Sequence, residues 1–115
     1  MEEERRLVIY GDYISQPSRA VICFCLLNAI QFELVEVSPL QGDQFKPDFV
    51  KINPLKQVPV MVEYSAPGVP PFVLTESTTI LRYLAITKQV PDHWYPRGDP
   101  RKRARIDMYL DQHHT

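Results

Sequence analysis

The residues whose types and spacing could do chemistry stand at two helix starts. Ser15 lies just before Pro17, where proline predicts the first turn of a helix, and Glu76 and Ser77 begin another predicted helix. The partial positive charge at a helix amino terminus and an adjacent hydroxyl can together stabilise one anion, such as a thiolate. An acid beside a hydroxyl can also hold the ammonium and carboxylate of a free amino-acid end. Helix capping alone would account for the same residues.

Cysteine and histidine point to no further site. Cys23 and Cys25 are two residues apart, which on a helix separates them by about 200° around the axis, so they cannot pair. We expect reduced and mostly buried thiols. His93, His113 and His114 show no zinc-ligand spacing, and we therefore predict no metal.

Composition narrows the class of protein. The chain has 115 residues, of which 44% are apolar and 23% charged, as expected for a single globular domain. Its net charge of −1 gives no general attraction for nucleic acid or anionic membranes, and the basic residues of 97–105 are expected on the solvated face of the last helix. The longest apolar run, 20–27, is too short to span a bilayer, so we expect a cytoplasmic protein.

Prolines and hydrophobic patterns divide the chain into elements. The segment 39–48 is predicted to be irregular or weakly helical, and 54–59 to be a loop. Strands are predicted at 7–10, 32–37, 60–64 and 72–74, and helices at 17–29, 75–88 and from about residue 101. This order predicts a two-layer α/β fold with a sheet of mixed direction. The first helix is expected to bury one broad apolar face formed by Ala20, Val21, Phe24, Leu26 and Leu27.

Several motifs, taken in order, resemble those of the theta-class glutathione transferases. They are SQPSRA at 15–20, NPLKQVP at 53–59, LTES at 74–77, DHWYP at 92–96 and RARI at 103–106. The resemblance implies an α/β thioredoxin-like β-α-β-α-β-β-α mixed sheet at 5–90 that binds glutathione. It further implies a linker at 91–99 and, at 100–115, the first helix of a truncated all-helical domain.

The resemblance also implies roles for individual residues. Ser15 would be the catalytic hydrogen-bond donor to the glutathione thiolate, and Val58 would bind the cysteinyl backbone beside a cis Pro59. The remaining glutathione-binding residues would be Glu76 and Ser77 at the γ-glutamyl end, and Gln44 and Gln57 at the glycyl carboxylate. Gln57 stands where many family members have lysine or glycine, and it brings no charge, so weaker glutathione binding is expected even with Lys56 adjacent.

The segment Ser15–Ser18 excludes one relative of the same fold. Thioredoxins and glutaredoxins place Cys-x-x-Cys at this strand-to-helix junction, whereas this chain has serine at both positions. A hydroxyl cannot cycle through a disulfide, so we predict no dithiol exchange here.

The resemblance therefore implies a glutathione transferase that conjugates glutathione to a small electrophile or reduces organic hydroperoxides. Glutathione would be the co-substrate, a homodimer is allowed by the resemblance, and no nucleic-acid or membrane partner is expected. Two alternatives stay open: a non-catalytic glutathione-transferase-like binding or assembly module, and an inactive truncated fragment.

Overall fold

The structure, a computed structural model, describes residues 5–112. The segment predicted to be irregular or weakly helical contains short 3-10 turns at Pro39–Gln41 and Asp43–Phe45, and the second helix of the predicted β-α-β-α-β-β-α order forms at 47–52. The other predicted elements are present with small shifts in their bounds. In chain order they are β1 (Arg6–Gly11), α1 (Gln16–Leu27), β2 (Glu33–Glu36), α2 (Pro47–Ile52), β3 (Val60–Tyr64), β4 (Phe72–Thr75), α3 (Ser77–Thr87) and α4 (Pro100–Gln112).

The four strands form one mixed sheet in the order β2-β1-β3-β4. β1 and β2 are parallel, as expected for strands joined by a helix, whereas β3 runs antiparallel to both β1 and β4. This is the thioredoxin-like arrangement that the family resemblance implies.

Side chains alternate along β1 and so contribute to two cores. Leu7 and Ile9 pack with the buried residues of α1 and α3 on one face of the sheet. Val8 packs on the other face against Phe49 of α2, together with Val37, Val60 and Val62. Helices therefore cover both faces, and the two-layer prediction was wrong because β1 and β3 are apolar on both sides.

The buried face of α1 is narrower than the sequence predicted. Leu26 and Leu27 are 63% and 72% exposed, and Ala20 is exposed as well. Val21 and Phe24 are buried as predicted, and Ile22 and Cys25 are buried beside them. Apolar content alone did not reveal this face, since a helix lying on a sheet buries only the stripe that touches it.

The two cysteines have different environments. Cys25 is buried, and burial raises the pKa of its thiol to about 11. Cys23 is exposed, which contradicts the expectation that both thiols would be buried. The exposed position follows from the helical spacing of the two residues, which places their side chains on nearly opposite sides of α1.

α4 is held against α3 by a polar cluster. Arg82 Nε lies 3.0 Å from Asp107 Oδ1, and Arg82 Nη2 lies 2.5 Å from Asp111 Oδ1. The Tyr95 hydroxyl also donates to Asp107 Oδ1, at 2.7 Å. Ile106 adds an apolar contact to the core, so the last helix is docked rather than detached from the sheet domain.

Glu63 at the far end of β3 accepts hydrogen bonds from Tyr83 and from Lys88 Nζ, the latter at 2.7 Å. Burial alone would raise the pKa of Glu63, but these two donors outweigh it and the pKa is lowered. A lowered pKa means that stability from this carboxylate is present above its ordinary value and is lost as the pH falls through its folded-state value. The contribution is therefore expected near neutral pH and should fade in acid.

We expect Glu63→Gln to lower the free energy of unfolding by about 1–2 kcal/mol at neutral pH, because two donors lose a charged acceptor. The deficit should shrink as the pH falls below the ordinary glutamate value of about 4.3, because the unfolded chain then takes up a proton that the native carboxylate resists. Urea unfolding at neutral pH and in acid measures this deficit in the free energy of unfolding. Glu36→Gln, an exposed glutamate of β2, is the control and should change little. A deficit of equal size at both pH values would show that the carboxylate charge is not its source.

Candidate functional site

Three segments that are distant in sequence meet at one edge of the sheet. Tyr10 of β1 pairs with Val60 of β3, and Val60 pairs with Thr75 of β4. β1 and β4 end at this edge, whereas β3 begins there. The residues just beyond these positions therefore lie side by side, and they include Ser15, Val58 and Glu76.

Ser15 is the N-cap of α1. Its Oγ accepts a hydrogen bond from the Ser18 N–H at 3.4 Å, and its carbonyl accepts the first helical bond from Arg19 N–H at 2.9 Å. The Ser15 N–H donates to Asp12 Oδ1 at 3.0 Å. Because a capping hydroxyl acts as an acceptor, its own proton stays available for donation to a ligand. Capping and a catalytic role are thus compatible at this residue.

The loop before β3 presents its backbone to the same edge. The Val58–Pro59 peptide bond is cis, as the family resemblance implies. Asn53 organises the loop from below: its side chain is buried, Nδ2 donates to the Gln57 carbonyl at 2.9 Å, and Oδ1 accepts from the Leu55 N–H at 3.1 Å. Sequence analysis quoted Asn53 only as part of a motif and missed this role, although an asparagine before proline is a typical turn residue.

Glu76 is the N-cap of α3, which begins at Ser77. Thr75 ends β4, and Glu76 takes a backbone conformation with φ +69° and ψ 115°, which is unfavourable for any residue other than glycine. The Glu76 carbonyl accepts from Ile80 N–H at 2.9 Å, so the strained residue directly precedes the helix. Strain of this kind is concentrated at functional sites, where the surrounding structure enforces it.

Gln44 and Gln57 approach from the remaining side. Gln44 lies in the second 3-10 turn, and its Oε1 is buried with no hydrogen-bond partner among residues 5–112. Gln57 is exposed, as is its neighbour Lys56, whose Nζ lies 5.9 Å from the Phe45 ring centroid. Lys56 has φ +59°, so the loop turns sharply just before Gln57.

All the predicted site residues line a single cleft of about 370 Å³, within the size range of small-molecule sites. Lys56 and Glu76 are its charged lining residues. The full lining consists of Ser15, Pro17, Pro39, Gln44, Asn53, Leu55, Lys56, Gln57, Val58, Pro59, Thr75, Glu76 and Ser77.

The other residues considered for chemistry lie elsewhere. His93 is exposed and stacks on Trp94 with ring centroids 5.5 Å apart, whereas His113 and His114 lie outside the described residues. Within 5–112 there is no cluster of three or more histidine, cysteine or acidic side chains able to hold a metal ion. In the same part of the chain, no helix has the length and apolar character needed to cross a membrane.

A second cavity, of about 350 Å³, opens between α1, α3 and α4. Most of its lining is apolar and it includes Phe24, Trp94 and the exposed Cys23. Leu27 and Ala20 also border it, which explains why these α1 residues are apolar although they do not reach the sheet.

Comparison with known proteins agrees with the fold and the motifs. The family described as "Glutathione S-transferase, N-terminal domain" matches residues 13–86. The chain is 47% identical over 111 residues to glutathione S-transferase T1 of Arabidopsis thaliana, covering 96% of this chain and 42% of that protein. It is 43% identical over 109 residues to glutathione S-transferase theta-3 of Mus musculus, covering 95% and 42% of the two proteins.

Solved structures show the same similarity. Human glutathione transferase theta-2, in complex with glutathione and an unknown ligand, superposes with a TM-score of 0.81 at 41% identity and covers 93% of this chain and 41% of that chain. Human glutathione S-transferase T1-1 in its apo form gives a TM-score of 0.81 at 44% identity, covering 94% and 42%. The chain thus spans only about 42% of the length of these relatives.

Proposed function

Because the chain belongs to the glutathione S-transferase family through its N-terminal domain and is similar to the theta class, we propose that its cleft binds glutathione and activates the thiol. One observation carries the proposal: Ser15, Gln44, Gln57, Val58, Glu76 and Ser77 line one cleft. The solved structure of a theta-class relative in complex with glutathione supports the proposal.

In this proposal the tripeptide lies along the sheet edge. Its sulfur is beside Ser15, its cysteinyl backbone meets Val58 as an added strand would, and its amino-acid head meets Glu76 and Ser77 at the start of α3. The glycyl carboxylate faces Gln44 and Gln57 as hydrogen-bond donors. Each end of the ligand thus meets a group of complementary chemistry.

Activation lowers the pKa of the glutathione thiol. The Ser15 hydroxyl donates a hydrogen bond to the sulfur, and the positive end of α1 favours its negative charge. A thiol has an ordinary pKa of about 8.5 or above, and each unit of lowering requires about 1.4 kcal/mol of preference for the thiolate. The thiol proton leaves to solvent, because serine acts here as a donor and not as a base.

The thiolate can react in two ways, neither of which requires a metal ion. In conjugation, the sulfur forms a bond to an electrophilic carbon of a small substrate, and the leaving group departs with its electron pair. In hydroperoxide reduction, the sulfur attacks the outer oxygen, the O–O bond breaks and an alcohol leaves after protonation. A second glutathione then converts the resulting sulfenic acid to the disulfide and water.

Binding and turnover, measured separately on this chain, test the proposal. Calorimetry with glutathione should show binding, and assays with small electrophiles and organic hydroperoxides should show turnover. Binding without turnover would favour the alternative of a binding module, and absence of binding would overturn the proposal. Homodimerisation is a further prediction that rests on the resemblance, and cytoplasmic location is one that rests on the hydrophobic pattern of the sequence.

Gln57→Lys is expected to tighten glutathione binding about fivefold, because a charged donor strengthens the hydrogen bond to a carboxylate by about 1 kcal/mol. Isothermal titration calorimetry measures the change. Gln41→Lys adds the same charge on the neighbouring 3-10 turn outside the cleft lining and should alter affinity less than twofold. Equal glutathione affinities for Gln57→Lys and the unaltered chain would contradict the placement of the glycyl carboxylate beside Gln57.

A further inference from the structure

We propose that Asp12 is a positioning residue for Ser15: it fixes the backbone from which the Ser15 hydroxyl is aimed at the glutathione sulfur. The proposal rests on the proposed function of the cleft. Asp12 does not line the cleft and is not expected to touch the ligand.

Asp12 is a buried carboxylate with a single described hydrogen bond. It is 4% exposed, its Oδ1 accepts from Ser15 N–H at 3.0 Å, and its Oδ2 has no hydrogen-bond partner among residues 5–112. Burying a carboxylate with one oxygen unpaired is costly, so stability alone does not explain the residue. Its one hydrogen bond falls on the backbone of the proposed catalytic serine.

The neighbouring residues are tied as well. Arg19 Nη1 donates to the carbonyls of Tyr13 and Ile14, at 3.0 and 2.7 Å. Together with the Asp12 bond, these contacts hold each backbone unit from 13 to 15. The connection between β1 and α1 is thereby fixed from the strand side by Asp12 and from the helix side by Arg19.

The cap bond of Ser15 cannot replace this anchoring. Ser15 Oγ lies 3.4 Å from Ser18 N, a distance at the weak limit for a hydrogen bond, so the cap constrains the hydroxyl only loosely. The position of Oγ therefore depends on where the Ser15 backbone sits. Without the Asp12 acceptor, the Ser15 N–H would lose its partner and the turn would be free to shift.

The end of β1 is packed closely against α1. A Cβ added to Gly11 would lie 2.7 Å from Ser18 Oγ, so β1 and α1 are already in contact immediately before Asp12. We therefore expect the loop carrying Ser15, rather than the strand end, to shift when the acceptor is lost.

Two variants of similar size separate positioning from charge. Asp12→Asn retains an acceptor oxygen, whereas Asp12→Leu has none; both remove the negative charge. Charge removal alone would lower the pKa of a bound thiol, since a nearby anion disfavours the thiolate. Loss of positioning would raise it. The two mechanisms thus predict opposite signs for Asp12→Leu.

The measured quantity is the thiol pKa of bound glutathione. It is obtained from the ultraviolet absorbance of the thiolate as the pH is varied. We expect Asp12→Leu to raise this pKa by about one unit, which leaves about tenfold less thiolate below the pKa. Asp12→Asn should keep the value of the unaltered chain or lie below it. The affinity for S-methylglutathione, which has no ionisable thiol, should stay within twofold in both variants.

The possible results separate failure of the positioning role from failure of the proposed function. If the unaltered chain and Ser15→Ala hold the thiol at the same pKa, the proposed function fails and the positioning role fails with it. If they differ but Asp12→Leu matches or falls below the unaltered chain, only the positioning role is overturned. A loss of S-methylglutathione affinity equal to the thiolate loss would indicate a collapsed cleft and also count against it. Should Asp12→Leu not fold, Asp12→Ala takes the same test with the same expected sign.

Discussion

Replacing Ser15 by alanine is expected to lower the rate of thiolate transfer by about 10- to 100-fold. A hydrogen bond to a charged group contributes about 1.5–3 kcal/mol, and alanine removes the donor. The pKa of bound glutathione should rise by one to two units for the same reason. Steady-state kinetics and absorbance titration measure the two effects independently.

The same substitution removes a helix cap, so stability must be controlled. The loss should be about 0.5–1 kcal/mol, at the low end for caps, because the Oγ to Ser18 N distance is 3.4 Å. Ser15→Asp is the matched control: aspartate caps a helix as well as serine but cannot donate to a thiolate and places a negative charge beside it. It should fold as stably as the unaltered chain and still be inactive.

Ser15→Thr completes the series because it keeps the hydroxyl. We expect it to retain the lowered thiol pKa, with activity within about tenfold of the unaltered chain, since the added methyl group perturbs position but not chemistry. Full activity in Ser15→Ala, or activity in Ser15→Asp, would show that Ser15 serves only as a cap.

Glu76→Gln is expected to weaken glutathione binding by about 5- to 30-fold. In the proposed pose Glu76 receives the ammonium of the γ-glutamyl end, and a neutral amide loses about 1–2 kcal/mol of charge-assisted hydrogen bonding. The test is calorimetric titration with glutathione and with a derivative acylated at this amine, which has no ammonium. The derivative should bind the two proteins with similar affinity; a Glu76→Gln deficit that persists with it would contradict the contact.

The backbone of Glu76 allows a second measurement at the same position. Glu76→Ala and Glu76→Gly both remove the carboxylate, but only glycine accepts φ +69° without strain. We expect the glycine variant to be more stable than the alanine variant by about 1–2 kcal/mol, as judged by urea unfolding, while both bind glutathione poorly. Equal stabilities would show that the conformation is not strained.

Local patterns predicted most of the elements correctly. The proline at 17 and the hydroxyl before it indicated the start of α1, and the short β-branched runs at 7–10 and 60–64 indicated β1 and β3. The patterns were less informative about which side chains are buried. Several apolar residues of α1 are exposed in the structure. Leu27 belongs to the apolar face that the sequence predicts to be buried, but in the structure it borders the cavity beside α4.

The sequence by itself determined the residue types at the element ends: a serine before α1, a glutamate before α3 and a Val-Pro step before β3. These follow from the local chemistry of caps and turns, which acts over a few residues. Only the tertiary structure decided that they meet, because the alignment of Tyr10 with Val60 and of Val60 with Thr75 depends on strand pairing and core packing between distant segments. The same packing buries Asp12 next to Ser15, whose N–H donates to the Asp12 carboxylate. The sequence shows that Asp12 is acidic but does not show that it is buried.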